Sequence, residues 1–405
     1  MIKMKNKLVF IFLLIVLFAS CRKEIVENEK VINSSKELKV PTDFRWETMK
    51  KVEANLKFVT GLNDSVTNAN IKIYAGTKQL NKLIFEGVTD DKGVIDSLYF
   101  KIGNQYSTIE VMYNQESVIV PINSGNINKT VTLNTYIKSK FKTVSDNNHV
   151  YYPSCDNYAT LAFEDNWPYL GDFDFNDLAL DYNVDVKTNS NGMVISATYT
   201  LIPRGVGAGY RNAFGFTFDK FHPACNDYVT LSNIKNIHRK IGNGPTVQIE
   251  EESGQAHPTY IIIDTSISKY YNWNTQLNKP YSKNETIVVT IQFKANHSVS
   301  HFDFPFSNPF IYINGNRSRE VHLPYYNATS KGTYQIPANS DAGLNYKSKT
   351  GLTWAIDVEE KFQYPLEGVD ILNAYLQFEQ WATTPGSTLE WWDASKVENN
   401  LYPIY

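Results

Sequence analysis

The stretch from Phe163 to Val186, FEDNWPYLGDFDFNDLALDYNVDV, carries seven carboxylates: Glu164, Asp165, Asp172, Asp174, Asp177, Asp181 and Asp185. No Lys or Arg interrupts them before Lys187, and Phe, Trp and Tyr are interspersed throughout. A solvated acidic tail lacks such aromatics. Two carboxylates about 5 Å apart at an effective dielectric near 20 repel each other by roughly 3 kcal/mol. A hard, oxygen-loving cation relieves that repulsion, and calcium is the expected one.

Parity narrows the ligand set. Asp172, Asp174 and Asn176 alternate with Phe173 and Phe175, and the phase then flips. Leu178, Leu180, Tyr182, Val184 and Val186 are apolar, while Asp177, Asp181, Asn183 and Asp185 are polar. One straight strand cannot serve both phases, so the pattern predicts a loop or bulge at Asn176–Asp177 feeding a strand. The expected metal ligands are Asp172, Asp174, Asn176 and Asp177, with Glu164 and Asp165 as partners from the preceding strand end. Asp181 and Asp185 fall on the polar face of the outgoing strand, outside that set. Asp172, Asp174 and Asn176 match the first half of an EF-hand loop. Asp177 then stands where the turn glycine belongs and Asn183 where a bidentate Glu belongs, so an EF-hand is not expected.

Three other readings compete. Asp and Asn cap turns by accepting backbone N–H groups. A D-x-D pair also serves metal-dependent glycosyltransferases, whose nucleotide sugars are scarce outside the cytoplasm. Paired carboxylates near Trp167, Tyr169 or Trp354 could hydrolyse glycosides, which makes a glycan-acting enzyme the alternative function. Other candidates are weaker. His297 and His301 have a spacing that suits zinc on a helix, but the preceding IVVTIQF reads as a strand. Gly205, Gly207 and Gly209 do not sit between a strand and a helix start, so they predict a tight turn or close backbone approach rather than a phosphate loop. Cys225 with His222 has no orienting context, and no H-E-x-x-H or G-x-S-x-G string occurs. No catalytic residue is assigned.

The elements that position these groups are mostly strands. The 26 Tyr and 22 Phe, among many Thr, Val and Ile, favour them, and 42% hydrophobic residues in a 405-residue chain suffice for sizeable cores. Short alternating runs from Phe44 to Asn134 predict a small antiparallel β-sandwich over residues 44–137, with a hairpin turn at Asp90–Gly93. A linker at 138–148 and a larger β-rich domain at 149–398, jelly-roll-like or a sandwich, follow. One helix is expected after Pro365, with Ile371, Leu372, Tyr375, Phe378, Trp381 and Ala382 at helical spacing and Gly386 ending it.

The N-terminus reads as an export signal over residues 1–20. Lys3, Lys5 and Lys7 precede an apolar run from Leu8 to Phe18, then Ala19, Ser20 and Cys21. The run is too short to span a bilayer comfortably. LFASC resembles the lipobox of bacterial lipoproteins, with Phe18 in place of the usual Leu. That resemblance implies acylation of Cys21 and a durable membrane anchor. Residues 21–43 read as a polar tether. Loss of the three lysines takes the net charge from −3 to −6, and no basic stripe is present, so nucleic acid is excluded as a partner. Cys155 and Cys225 could pair in an oxidising envelope or remain thiols.

Two further resemblances extend the reading. EGVTDDKGVIDSLYF and STIEVMYN resemble prealbumin-like, carboxypeptidase regulatory-like modules, which implies a spacer or presenter. FEDNWPYLGDFDFNDLALDYN resembles the signature of the LruC domain family, found in exported proteins of bacteria including the Bacteroidetes. The likeness runs from about Asn148 to Asp393, through GAGYRNAFGFTF, NPFIYING, REVHLPYY, GLTWAIDV and YPLEGVDILNAYLQFEQWA. PTDFRWETMKKVEANL resembles the lead-in of Bacteroidetes members. The family implies a β-rich, calcium-binding envelope domain and supplies no catalytic residues. The expectation is a lipid-anchored protein of the outer membrane, exposed at the cell surface. It would act in binding, adhesion or assembly with a surface protein or glycan.

Overall fold

The computed structural model describes residues 32–136, 147–207, 209–222, 226–264, 275–277 and 285–403. The expected signal segment, Cys21 and Cys225 lie outside them, and so does the pairing of Cys225 with Cys155. The strands in chain order are β1 (Met49–Thr60), β2 (Asn70–Ala75), β3 (Leu83–Val88), β4 (Val94–Gly103), β5 (Thr108–Tyr113), β6 (Glu116–Pro121) and β7 (Asn126–Leu133). They continue as β8 (Asn147–Tyr152), β9 (Ala159–Phe163), β10 (Leu178–Asn189), β11 (Val194–Gly205), β12 (Asn212–Thr217), β13 (Phe221–His222) and β14 (Asp227–Tyr228). The last are β15 (Ile234–Ile241), β16 (Thr246–Gln248), β17 (Thr259–Ile263), β18 (Ile287–Phe293), β19 (Asn308–Ile313), β20 (Asn316–His322) and β21 (Ala355–Val358). Three short α-helices are described: α1 (Val299–Phe302), α2 (Ile371–Ala374) and α3 (Phe378–Thr383). The protein is mostly β, as its composition predicts.

One large sheet runs β16-β15-β18-β11-β10-β8-β3-β2-β5-β6, and β9 extends it by pairing with β10 and β21. A second sheet, β17-β12-β19-β20, packs on it through aromatic side chains. Tyr199 of β11 stacks on Phe216 of β12 at 5.5 Å, and Phe306 touches Tyr182, Tyr199 and Phe214. Every residue of β12 and of β19 is buried, as expected of central strands covered on both faces. A third sheet, β4-β1-β7, pairs β1 with β7 in parallel.

The expected hairpin at Asp90–Gly93 is instead an arch. It joins β3 in the large sheet to β4 in the small one. Asp90 accepts the N–H groups of Lys92 and Val94, and Gly93 takes φ +75°. A Cβ there would lie 2.8 Å from the Phe58 carbonyl oxygen, so only glycine lets the arch close.

Strands expected in the small sandwich continue the sheet of the expected larger domain. Phe85 and Glu86 of β3 pair with Val150 and His149 of β8. The expected linker lies outside the described residues up to 146, and Asn147 and Asn148 already belong to β8. Residues from Ser34 onward form one compact unit, so the stretch expected as tether is packed from that point. Leu38 is buried, Ser34 and Ser35 donate to the Asp370 carboxylate, and Phe44 and Trp46 pack edge-on against Trp381.

The helical stretch after Pro365 is interrupted at Tyr375, whose φ of −131° is extended and which bridges to Lys396. Its ring lies 5.3 Å from both Phe362 and Trp391, and its hydroxyl donates to the Gln363 carbonyl. Filling that slot sets the backbone of Tyr375 against helix continuity. The core-forming residues named from the spacing are nonetheless all buried.

Candidate metal centre

The acidic stretch folds as a loop between β9 and β10. β9 ends at Phe163, and the next residue, Glu164, is fixed by its N–H donating to the Trp354 carbonyl at 2.8 Å. Phe173 and Phe175 adopt φ of +57° and +52°, a left-handed conformation that costs bulky residues about 1–3 kcal/mol each. Burial of their rings offsets that strain. Both are fully buried, Phe173 6.4 Å from Trp354 and Phe175 6.3 Å from Phe378. The left-handed turns aim the N–H groups of both residues at the Glu164 carboxylate, at 3.2 and 2.6 Å, forming an anion-holding nest.

A segment almost 200 residues later closes the loop. Gly368 N–H donates to Asp174 Oδ2 at 2.8 Å, Ile371 N–H donates to the Phe173 carbonyl, and Asn176 Nδ2 donates to the Pro365 carbonyl. Carboxylate oxygens of Glu164, Asp172 and Asp174 consequently lie within 4.8 Å of one another. Glu164 and Asp174 are buried, whereas Asp172 is exposed and opens the cluster to solvent. Asn176 is fully buried, and its Oδ1 has no hydrogen-bond partner. A cluster of carboxylate oxygens, with a buried unpartnered amide oxygen on the same loop, offers the kind of hard donors that an oxygen-ligated cation takes. A Cβ on Gly207 would sit 1.8 Å from that Oδ1 and 2.9 Å from Glu367 Oε2, so this glycine is what permits the close approach.

Electrostatics follow from burial and crowding. Burial, then Asp172, pushes Asp174 up to about 8. Burial, then Asp174 and Asp172, raises Glu164 well above the usual carboxylate range. The strongest influences on either group include no cationic side chain.

The structure separates the six expected ligands. Glu164, Asp172 and Asp174 converge, Asn176 donates its Nδ2 to the Pro365 carbonyl with its Oδ1 facing Gly207, and Asp165 and Asp177 hold the scaffold. Asp177 Oδ2 accepts the Asp165 N–H at 2.7 Å, and Asn212 Nδ2 donates to Asp165 Oδ2 at 2.8 Å. Arg319 donates to the backbone carbonyls of Asp165 and Trp167. Burial lifts Asp165 to about 6 and raises Asp177 well above its usual range. Asp181 is buried and engaged by Arg204 and Thr160, each at 2.8 Å, and Asp185 faces His149. Glu367 is the residue that sequence reasoning missed. Its Oε2 accepts from Thr275, and its charge helps raise Asp174. Nothing local in YPLEGVD marks it as a partner of a loop so distant in sequence. Trp354 is fully buried and Trp167 is 6% exposed, so neither offers a ring face on which a sugar could stack.

Residues 192–392 match the family model described as Domain of unknown function (DUF4842). The matched segment begins after the acidic loop but contains its supports Gly207, Asn212, Arg319 and Glu367. The fold is similar to a crystal structure described as a "Putative lipoprotein from Bacteroides ovatus", with TM-score 0.58 and 17% identity over 84% of this chain and 100% of that one. BcpA, the major pilin subunit of Bacillus cereus, aligns with TM-score 0.16 and 12% identity over 68% of this chain and 67% of its own, too loose a likeness for argument. No curated protein matches the chain. Among the described residues no helix is long and apolar enough to cross a membrane.

Proposed function

We propose that this is a lipid-anchored envelope protein whose β-rich body, stabilised by calcium at the acidic loop, acts in binding or surface assembly rather than catalysis. The lipobox-like LFASC and the fold shared with a Bacteroides ovatus protein described as a lipoprotein support the anchor. The observation that carries the metal reading is the convergence of Glu164, Asp172 and Asp174 on a loop that also holds the orphaned Asn176 Oδ1. An all-oxygen set with several carboxylates fits calcium better than softer metals. Glu164, Asp172, Asp174 and Asn176 would hold the ion, which neutralises the cluster and ties the loop to the 365–371 segment. The signature stretch of the likeness to the LruC domain family, from Phe163 to Asn183, contains this loop.

Calorimetric titration with calcium and thermal melts with and without chelator test the metal reading. Saturable binding and a chelator-lowered Tm are expected, with both responses lost in Asp172→Asn combined with Asp174→Asn. Absence of any calcium response in the wild-type protein would sink it. Independently, Cys21→Ser is expected to move the protein from the membrane fraction to the soluble fraction. Unchanged membrane association would remove the anchor.

A further inference from the structure

A second cluster of donors lies where β13, β14 and α1 meet. The β13–β14 hairpin places His222 directly opposite Asp227. The short helix α1 carries His301 and begins just after His297, and the two imidazoles stack with centroids 3.9 Å apart and planes 9° apart. His297 lies in the bend before the Ser298 cap, so the chain's entry into α1, rather than one helix face, brings the two rings together. Donor atoms of Asp227, His297 and His301 lie within 4.8 Å of one another. The His222 ring is 5.1 Å from that of His301.

His301 is the telling residue. It is fully buried, and neither ring nitrogen has a hydrogen-bond partner. Asp227 Oδ1 is 3.7 Å from its Nε2, beyond hydrogen-bonding reach. His322 shows how the same protein treats a structural histidine. It too is fully buried, but its Nδ1 is 2.6 Å from Asn308 Oδ1 and its Nε2 is 3.0 Å from Glu320 Oε2. Buried polar groups are ordinarily satisfied, and His301 is not. Its environment otherwise resembles that of a metal ligand. Phe302 and Phe293, 4.5 Å apart, form an apolar floor beneath it, and Asp227, with 47% of its side chain exposed, leaves an entry path. Ser300 Oγ lies 3.4 Å from His222 Nε2 as an outer contact on that ring.

We propose that His297, His301 and Asp227, with the neighbouring His222 as a fourth candidate donor, bind a divalent cation of the zinc class. Neutral imidazoles with one carboxylate select zinc over calcium, so this site differs in chemistry from the acidic loop. Zinc–nitrogen bonds of about 2.0–2.1 Å require the donors to draw together and the stacked imidazoles to turn out of parallel, and Asp227 and His297, neither of them buried, have room to do so.

The test uses the protein purified without a histidine tag, stripped with chelator and titrated with zinc chloride. Cobalt chloride, read by the visible bands of tetrahedral Co(II), serves as a second probe. One zinc per chain is expected. Loss of an outer partner of a metal ligand alone weakens affinity by about 10–100-fold, so His297→Ala and Asp227→Ala should each weaken binding at least that much. Neither side chain lies in the core, so folded controls by circular dichroism are attainable. Asp174→Asn should leave zinc binding unchanged, which separates this site from the acidic loop. Wild-type protein that takes up no zinc, or a His297→Ala/Asp227→Ala double variant that binds as the wild type does, would overturn the proposal.

Discussion

In chelator, the protein is expected to lose stability as pH rises from about 4 to about 8, and calcium is expected to restore it most strongly at the upper end. Burial, with like charges close by, raises Asp165 to about 6 and Asp174 to about 8 from an ordinary value of 3.8. The folded state therefore holds these protons more tightly than the unfolded chain does. Their stabilisation is complete below pH 3.8 and is lost as pH passes through 6 for Asp165 and 8 for Asp174. At about 1.4 kcal/mol for each tenfold difference in proton affinity, the loss is of order 3 kcal/mol for Asp165 and about twice that for Asp174. Calcium at a hundredfold excess over its Kd returns about 2.7 kcal/mol. Asp174→Asn keeps an oxygen for the Gly368 N–H while removing a charge. In chelator at pH 8 it should be more stable than the wild type and indifferent to calcium. Urea melts at pH 4, 6 and 8 decide the matter, and a metal-free wild type equally stable across that range would refute the repulsion argument.

Asp303→Ala is expected to destabilise the protein by about 3–5 kcal/mol, the usual result of removing one partner from a buried ion pair. Asp303 caps α1 and is 2% exposed. It lies 2.8 Å from Lys51 Nζ and 3.3 Å from Lys101 Nζ, and it accepts the Tyr99 hydroxyl at 2.9 Å. Lys51 belongs to β1, and Lys101 and Tyr99 belong to β4, so this one carboxylate ties the three-stranded sheet to α1. Although burial opposes its ionisation, the lysines hold it well below the usual carboxylate range. Its stabilisation is therefore present above the ordinary carboxylate value and lost only in stronger acid, outside the window of the acidic loop. The Lys101 side chain, 12% exposed, would be left without its counter-ion. A urea midpoint within error of the wild type would show that the cluster contributes nothing net.

What the sequence determined is what a short window of chain can encode. The parity switch at Asn176–Asp177 anticipated the loop that ends where β10 begins at Leu178. Helical spacing picked out the buried Ile371, Phe378 and Trp381, and strand-favouring composition announced a mostly β protein. The parity switch and the helical spacing follow from side-chain period, which depends on neighbours two to four residues apart. Tertiary structure decided which oxygens face which. Asp165 and Asp177 share the loop's composition yet serve its backbone, because Asn212 and Arg319 arrive from strands far along the chain. Glu367 and Gly207 join the acidic loop, and Asp227 meets His301, through contacts set by sheet pairing and loop docking that no local pattern records. The opening acidic stretch thus announced its charge on its own, but only the fold determined which of its carboxylates converge.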